Sequence, residues 1–114
     1  MRIVTRVHHC ILGLLLACTT AVASAAEVNL YSARIEALIK PLLDRFTEQT
    51  GIEVNLITGN ADGLIQRLQS EGRNSPADIL LTTDVGRLYR AKEANLTQSI
   101  ESATLEQNIP VMYR

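Results

Sequence analysis

Two short polar stretches hold the residues best suited to bind a ligand. Ser32-Ala33-Arg34 offers a hydroxyl and a guanidinium two positions apart, and Thr82-Thr83-Asp84 offers two hydroxyls followed by a carboxylate. A guanidinium presents paired donors that match a carboxylate or a phosphate. A hydroxyl beside the first amides of a helix adds neutral donors and the positive end of the helix dipole. Ser32, Arg34, Thr83 and Asp84 are therefore the candidate anion-binding residues. The same residue types also have a plain structural use, because Ser and Asp are strong helix N-caps and an exposed Arg34 needs no partner but water.

Catalytic chemistry finds little support. There is no Gly-rich phosphate loop, no zinc-binding helix motif and no nucleophile elbow. Both histidines, His8 and His9, lie in the first 25 residues, so the rest of the chain lacks the usual general base and the usual neutral metal ligand. The remaining carboxylates fall where helix surfaces would place them. A binding protein is expected rather than an enzyme.

The opening residues read as an export signal. Arg2 and Arg6 supply the positive start, a mostly apolar run extends from Cys10 to Ala17, and small residues lead to Ala23-Ser24-Ala25. That order suits the translocon and then the signal peptidase, with cleavage expected after Ala25. As a permanent anchor the segment is weakened by Cys18, Thr19, Thr20 and Ser24 and falls short of the ~20 apolar residues that span a bilayer. Leu15-Leu16-Ala17-Cys18 offers a lipoprotein alternative in which Cys18 is lipidated.

Setting the signal aside changes the composition. Without Arg2 and Arg6, nine Lys and Arg face twelve Asp and Glu, a net charge of −3. No basic run remains to neutralise a phosphate backbone, so nucleic acid is not an expected partner. Both cysteines leave with the signal, and with them any disulfide framework or thiolate metal site. What remains, roughly 90 residues, is enough for one small domain or part of one.

Short apolar runs then alternate with helical periods. Val28-Asn29-Leu30-Tyr31 reads as a strand, as does Ile52-Glu53-Val54-Asn55-Leu56-Ile57, and Ile79-Leu80-Leu81 reads as a strand covered on both faces. Between the first two, Ile35, Leu38, Ile39, Leu42, Leu43 and Phe46 recur at spacings of three and four, which predicts an amphipathic helix stopped at Gly51 and kinked by Pro41. Leu64, Ile65 and Leu68 mark a second helix ending at Gly72, and Val85, Leu88 and Ala91 a third. The order β-α-β-α-β-α, with crossovers of this length, predicts a parallel sheet with right-handed connections and helices on both faces. Ligands of such sheets gather at the carboxyl ends of the strands, near the point where strand order reverses, which is where the loops at Ser32 and Thr82 belong.

These residues also carry a resemblance. Val28-Asn29-Leu30-Tyr31-Ser32-Ala33-Arg34, then Thr50-Gly51-Ile52-Glu53-Val54, then Asn74 through Asp84 and Gly86-Arg87-Leu88, resemble the start of periplasmic ferric-iron-binding proteins, the solute receptors of iron ABC importers. The likeness runs in order from Glu27 to Arg114. It implies the first lobe of a type II periplasmic-binding-protein fold, residues 26–114, truncated before the second lobe. It further implies Fe(III) bound with a synergistic anion such as carbonate, delivery to a membrane permease, a periplasmic location and a monomer. Family members draw most iron ligands from a tyrosine pair in the second lobe. Phenolate oxygens suit a hard trivalent cation, and the chain ends before any such pair. Where the family can carry His, or His followed by Tyr, this sequence has Ile35 and Glu36; where some members carry a Glu ligand, it has Thr83. Glu36 is thus the metal-ligand candidate, its other role being a surface helix charge. Tyr31 and Tyr89 are expected to pack rather than ligate. A receptor of the same architecture for a small organic anion or a phosphonate, with Arg34 as charge partner, is the alternative.

Overall fold

The computed structural model describes residues 26–113. The export signal, its cleavage and the lipidation alternative at Cys18 all fall outside the described residues.

Strand β1 (Glu27–Ser32) is followed by helix α1 (Glu36–Thr50), β2 (Glu53–Thr58), α2 (Ala61–Glu71), a 3-10 turn (Gly72–Asn74), β3 (Ile79–Leu81), α3 (Val85–Glu93), α4 (Ala103–Asn108) and a final 3-10 turn (Val111–Tyr113). The three strands form one parallel sheet in the order β2-β1-β3. The chain therefore steps from β1 to one side and then crosses back over β1 to the other. Because βαβ crossovers are right-handed, two in opposed directions place α1 and α2 on opposite faces. Adjacent strand residues point to opposite faces, and Leu30 and Tyr31 are both buried, so both faces of the central strand are covered. This is the expected three-layer arrangement.

Helix ends follow the residues that make them. Gly51 adopts the left-handed conformation (φ 71°) and its amide returns to the Thr47 carbonyl, closing α1, a conformation that favours glycine because it lacks Cβ. Pro41 does not interrupt α1, which runs through it from Glu36, without the one hydrogen bond that the ring nitrogen cannot donate to Ala37. α2 buries Ala61, Leu64, Ile65 and Leu68, a single face at helical spacing.

The core lies on the α2 side of the sheet. Tyr31, Leu64 and Leu68 form its centre, with Ala33, Ile57, Ala77, Leu80 and Leu96 around them. The Tyr31 hydroxyl donates to Glu71 (2.8 Å to Oε1), which also accepts from Ser75 Oγ (2.6 Å) and Arg67 Nε (2.6 Å). The Arg67 guanidinium lies 4.8 Å from the Tyr31 ring centre. Burial and the Glu71 hydrogen bond raise the Tyr31 pKa, while Ser75 and then Arg67 hold the Glu71 carboxyl below its ordinary range. Tyr31 thus packs as expected.

Three expectations come out differently. Tyr89 is exposed on α3 rather than packed, and so are Val85 and Leu88, leaving Ala91 as that helix's buried residue. On α1 the apolar face is wider than what covers it: Ile39 and Leu43 are half-buried, whereas Ile35, Leu38 and Leu42 are 70%, 66% and 63% exposed. Ile79 in β3 is also exposed, because β3 has only three residues and pairs on one side, with β1. Helix α4 lacks the apolar periodicity that marks the others; Ser102 starts it by accepting from the Leu105 amide. Among the described residues, no helix is long and apolar enough to cross a membrane.

Candidate ligand-binding edge

Parallel pairing brings the carboxyl ends of the three strands to one edge. Ser32 stands opposite Thr58 on one side and Leu81 on the other. The strand order reverses at β1, so the loops leaving β1 and β3 flank the reversal, the position where open α/β sheets hold ligands. The first loop is tied to the third strand directly, Ala33 N–H donating to the Leu81 carbonyl at 2.8 Å.

Ser32 is fully buried, and its Oγ accepts the Arg34 amide at 3.1 Å. Its carbonyl accepts the Gly59 amide at 3.1 Å, joining the β1 and β2 loops. Ser32 is therefore the lock of a tight turn. The N-cap of α1 is Ile35, which offers no side-chain acceptor. Arg34 is exposed and, among the described residues, has no ion pair or side-chain hydrogen bond. Glu36, the metal-ligand candidate, is the first residue of α1 and is exposed. Among the described residues, no three His, Cys, Asp or Glu side chains come close enough together to hold a metal ion.

The other two helix starts at this edge are capped. Asn60 Oδ1 accepts the Gly63 amide at 2.7 Å, and a Cβ on Gly63 would lie only 3.1 Å from that oxygen, so glycine makes room for the cap. Asp84 Oδ1 accepts the Arg87 amide at 2.9 Å while Oδ2 takes Arg87 Nη1 at 2.6 Å. Arg87 Nη2 continues to Asp62 on α2 (3.2 Å), and Arg90 Nη2 reaches the other Asp62 oxygen (2.5 Å). The Arg87 side chain, followed by its amide, pulls the Asp84 pKa below the usual carboxylate range. Arg87 and then Arg90 do the same to Asp62. Thr82 Oγ1 donates to the Asp84 carbonyl at 3.0 Å, and Thr83 is exposed.

The structure thus brings Ser32, Arg34, Thr83 and Asp84 to one edge, with Ser32 and Asp84 engaged in turn and cap. Asp84 is the helix cap that its position after β3 suggested. Sequence reasoning missed Asn60, Asp62, Arg87 and Arg90. An Asn just ahead of an apolar helical period was a readable cap signal; which carboxylate the arginines of α3 would meet was not, since that depends on how two helices pack. In charge terms, two helix starts are capped by side chains, α2 by the neutral Asn60 and α3 by the Asp84 carboxylate. At this edge, among the described residues, Arg34 and the first amides of α1 are left without a side-chain partner, with Glu36 in the same first turn; donors of this kind suit an oxyanion.

The profile of the bacterial extracellular solute-binding protein family matches residues 28–113. The chain belongs to that family. Among characterised members, iron uptake protein A1 of Synechocystis is 51% identical over 77% of this chain and 24% of its own length. The Fe(3+)-binding periplasmic protein of Serratia marcescens is 37% identical over 86% of the chain and 29% of its own length. Two solved structures align closely. A Trichodesmium protein in complex with iron and citrate ligands gives a TM-score of 0.68 at 51% identity, covering 72% of this chain and 26% of that one. The ferric iron-binding protein A of Mannheimia haemolytica, in an open conformation, gives 0.75 at 48% identity, covering 79% and 28%. The chain therefore spans about a quarter of the length of these solute-binding relatives, and over that quarter it has their fold.

Proposed function

We propose that the chain supplies the first-lobe side of a periplasmic ferric-iron receptor of an ABC importer, holding the anion that accompanies Fe(III), carbonate or a carboxylate, rather than the metal itself. Arg34 gives the charge, the turn locked by Ser32 and the start of α1 give backbone donors, and Thr83, exposed in the loop after β3 at the same edge, offers a hydroxyl. Asp84 serves by shaping that loop, because both of its oxygens are engaged by Arg87. The observation that carries the reading is the unpaired cationic corner at the strand-order reversal, in a chain whose relatives are named for ferric iron. Residues 1–25 act as the export signal, residues 26–114 fold as part of the first lobe, and the protein works in the periplasm as a monomer that passes its ligand to a permease.

Titration calorimetry of the chain with citrate, ferric citrate and methylphosphonate tests this. Citrate and ferric citrate should both give heat, and Arg34→Ala should weaken both by about tenfold, the loss of a charge-assisted hydrogen bond. Binding of methylphosphonate alone would move the assignment to a receptor for organic anions. Absence of heat with all three would refute ligand binding by these residues.

A further inference from the structure

The Arg87 guanidinium joins the first turns of two helices. Its Nη1 meets Asp84 at the start of α3, and its Nη2 meets Asp62 at the start of α2. Its Nε is buried with no hydrogen-bond partner, so the group is aimed by the two carboxylates, at the cost of one unsatisfied donor. The same corner is also held by the Ala33 amide on the Leu81 carbonyl and by Thr82 Oγ1 on the Asp84 carbonyl, but α3 itself has few other anchors. β3 is a three-residue edge strand bonded to β1 on one side, and the neighbour on which α3 packs is α2. Thr83 lies between the short strand and the helix that Arg87 ties down.

We infer that Arg87 is a positioning residue for the ligand edge: by bridging Asp84 to Asp62 it sets the Thr82–Asp84 loop at a fixed distance across from Arg34. This inference rests on the anion site proposed above. Lysine cannot replace Arg87, since a single ammonium does not span two carboxylates as a planar guanidinium does.

The test follows amide signals of the 15N-labelled chain before and during titration with citrate. Asp62→Asn and Arg87→Lys should each shift the Thr83 and Asp84 amides before any citrate is added. Each should also weaken citrate binding roughly two- to fivefold, the range an exposed ion pair supports, with the melting temperature falling by less than about 8 °C, the most that the same loss costs a unit of this size. The direction is diagnostic for Asp62→Asn. Removing a negative charge would tighten anion binding if only the overall field mattered, whereas a broken bridge weakens it. Asp44→Asn makes the same charge change on α1, beside Lys40, and should leave the Thr83 amide in place. Unmoved Thr83 and Asp84 amides in both bridge variants, or tighter citrate binding in Asp62→Asn, would overturn the inference. Should the unmodified chain show no citrate response, the anion site fails, and the ligand-free amide positions still decide whether Arg87 sets the loop.

Discussion

Truncating Leu64 and, separately, Leu42 to alanine distinguishes two apolar helix faces that look alike in sequence. Leu64 is 4% exposed and packs with Tyr31 and Leu68, whereas Leu42 is 63% exposed on α1. Leu64→Ala removes three carbons, and at ~0.8 kcal/mol per buried methylene the transfer loss is roughly 2.4 kcal/mol. The cavity left behind raises the total to about 3 kcal/mol. A unit of about 90 residues has a stability of ~5–13 kcal/mol, so this single change removes between a quarter and a half or more of it. Leu42→Ala deletes the same atoms from a solvated surface and should alter stability by less than about 0.5 kcal/mol. Urea unfolding followed by tyrosine fluorescence reads both variants, because the chain has three tyrosines and no tryptophan. With a slope of ~1 kcal/mol per molar urea for a unit this small, the Leu64 variant should unfold at about 2–3 M less urea. Leu64 also supports the ligand edge, its Cδ2 lying 3.3 Å from where a Cβ on Gly59 would stand. Equal losses at the two positions, or a Leu64 loss under about 1 kcal/mol, would refute the placement of the core on the α2 side.

Asn60→Ala removes the cap of α2 and should lower stability by about 1 kcal/mol, read from the same urea midpoints. Gly51→Ala forces a side chain into the left-handed conformation in otherwise open space, a cost of roughly 1–2 kcal/mol that comes from backbone strain alone; calorimetric melting measures it. Acid should weaken the fold through Asp62, Glu71 and Asp84, whose carboxyls are all held below the ordinary range. A depressed folded pKa contributes stability above the unfolded value, about 4, and that contribution disappears as pH falls through the lower folded value. The urea midpoint should therefore be flat from about pH 7 to 5 and fall below about pH 4, less steeply in an Asp62→Asn/Asp84→Asn double variant. Arg34→Ala should leave the urea midpoint unchanged while weakening citrate binding, because its side chain has no partner among the described residues; a marked loss of stability would show that Arg34 belongs to the fold instead.

Much of the architecture was legible because local chemistry specified it. Gly51 and Gly72 mark helix ends by conformations that suit glycine, Asp84 caps where a cap was expected, and the alternation of Ile52 to Ile57 is a strand because period two can bury one side. That the loops after β1 and β3 share one edge was legible for a topological reason: in a parallel sheet of this kind they must emerge together. What could not be read was anything that depends on which surface meets which. Leu38 and Leu42 follow the same period as Leu64 and Leu68, yet one pair is exposed and the other buried, because periodicity names a face and says nothing of its partner. Nothing in the sequence names a partner for Arg87 or Arg90, and only the packing of α3 on α2 brings Asp62 within reach.

The division of charge along this edge gives the proposed site its direction. Each parallel strand delivers a helix N-terminus to the same edge, and three uncapped starts would make an undifferentiated positive rim. Asn60 satisfies one start with a neutral amide, and Asp84 satisfies another with a carboxylate that Arg87 then balances. Asp62 and Arg90 complete that cluster without net charge. The start of α1 has no side-chain cap but carries Glu36 in its first turn, and Arg34, just ahead of it, has no side-chain partner among the described residues. The surrounding body is mildly acidic, nine cationic residues against twelve anionic ones once the signal is set aside, so long-range attraction cannot gather anions to the edge. Selectivity then has to come from contacts made within that one corner. On the proposed anion site, this is the reason to hold the loop opposite Arg34 in place, and the role proposed for the bridge built from Arg87.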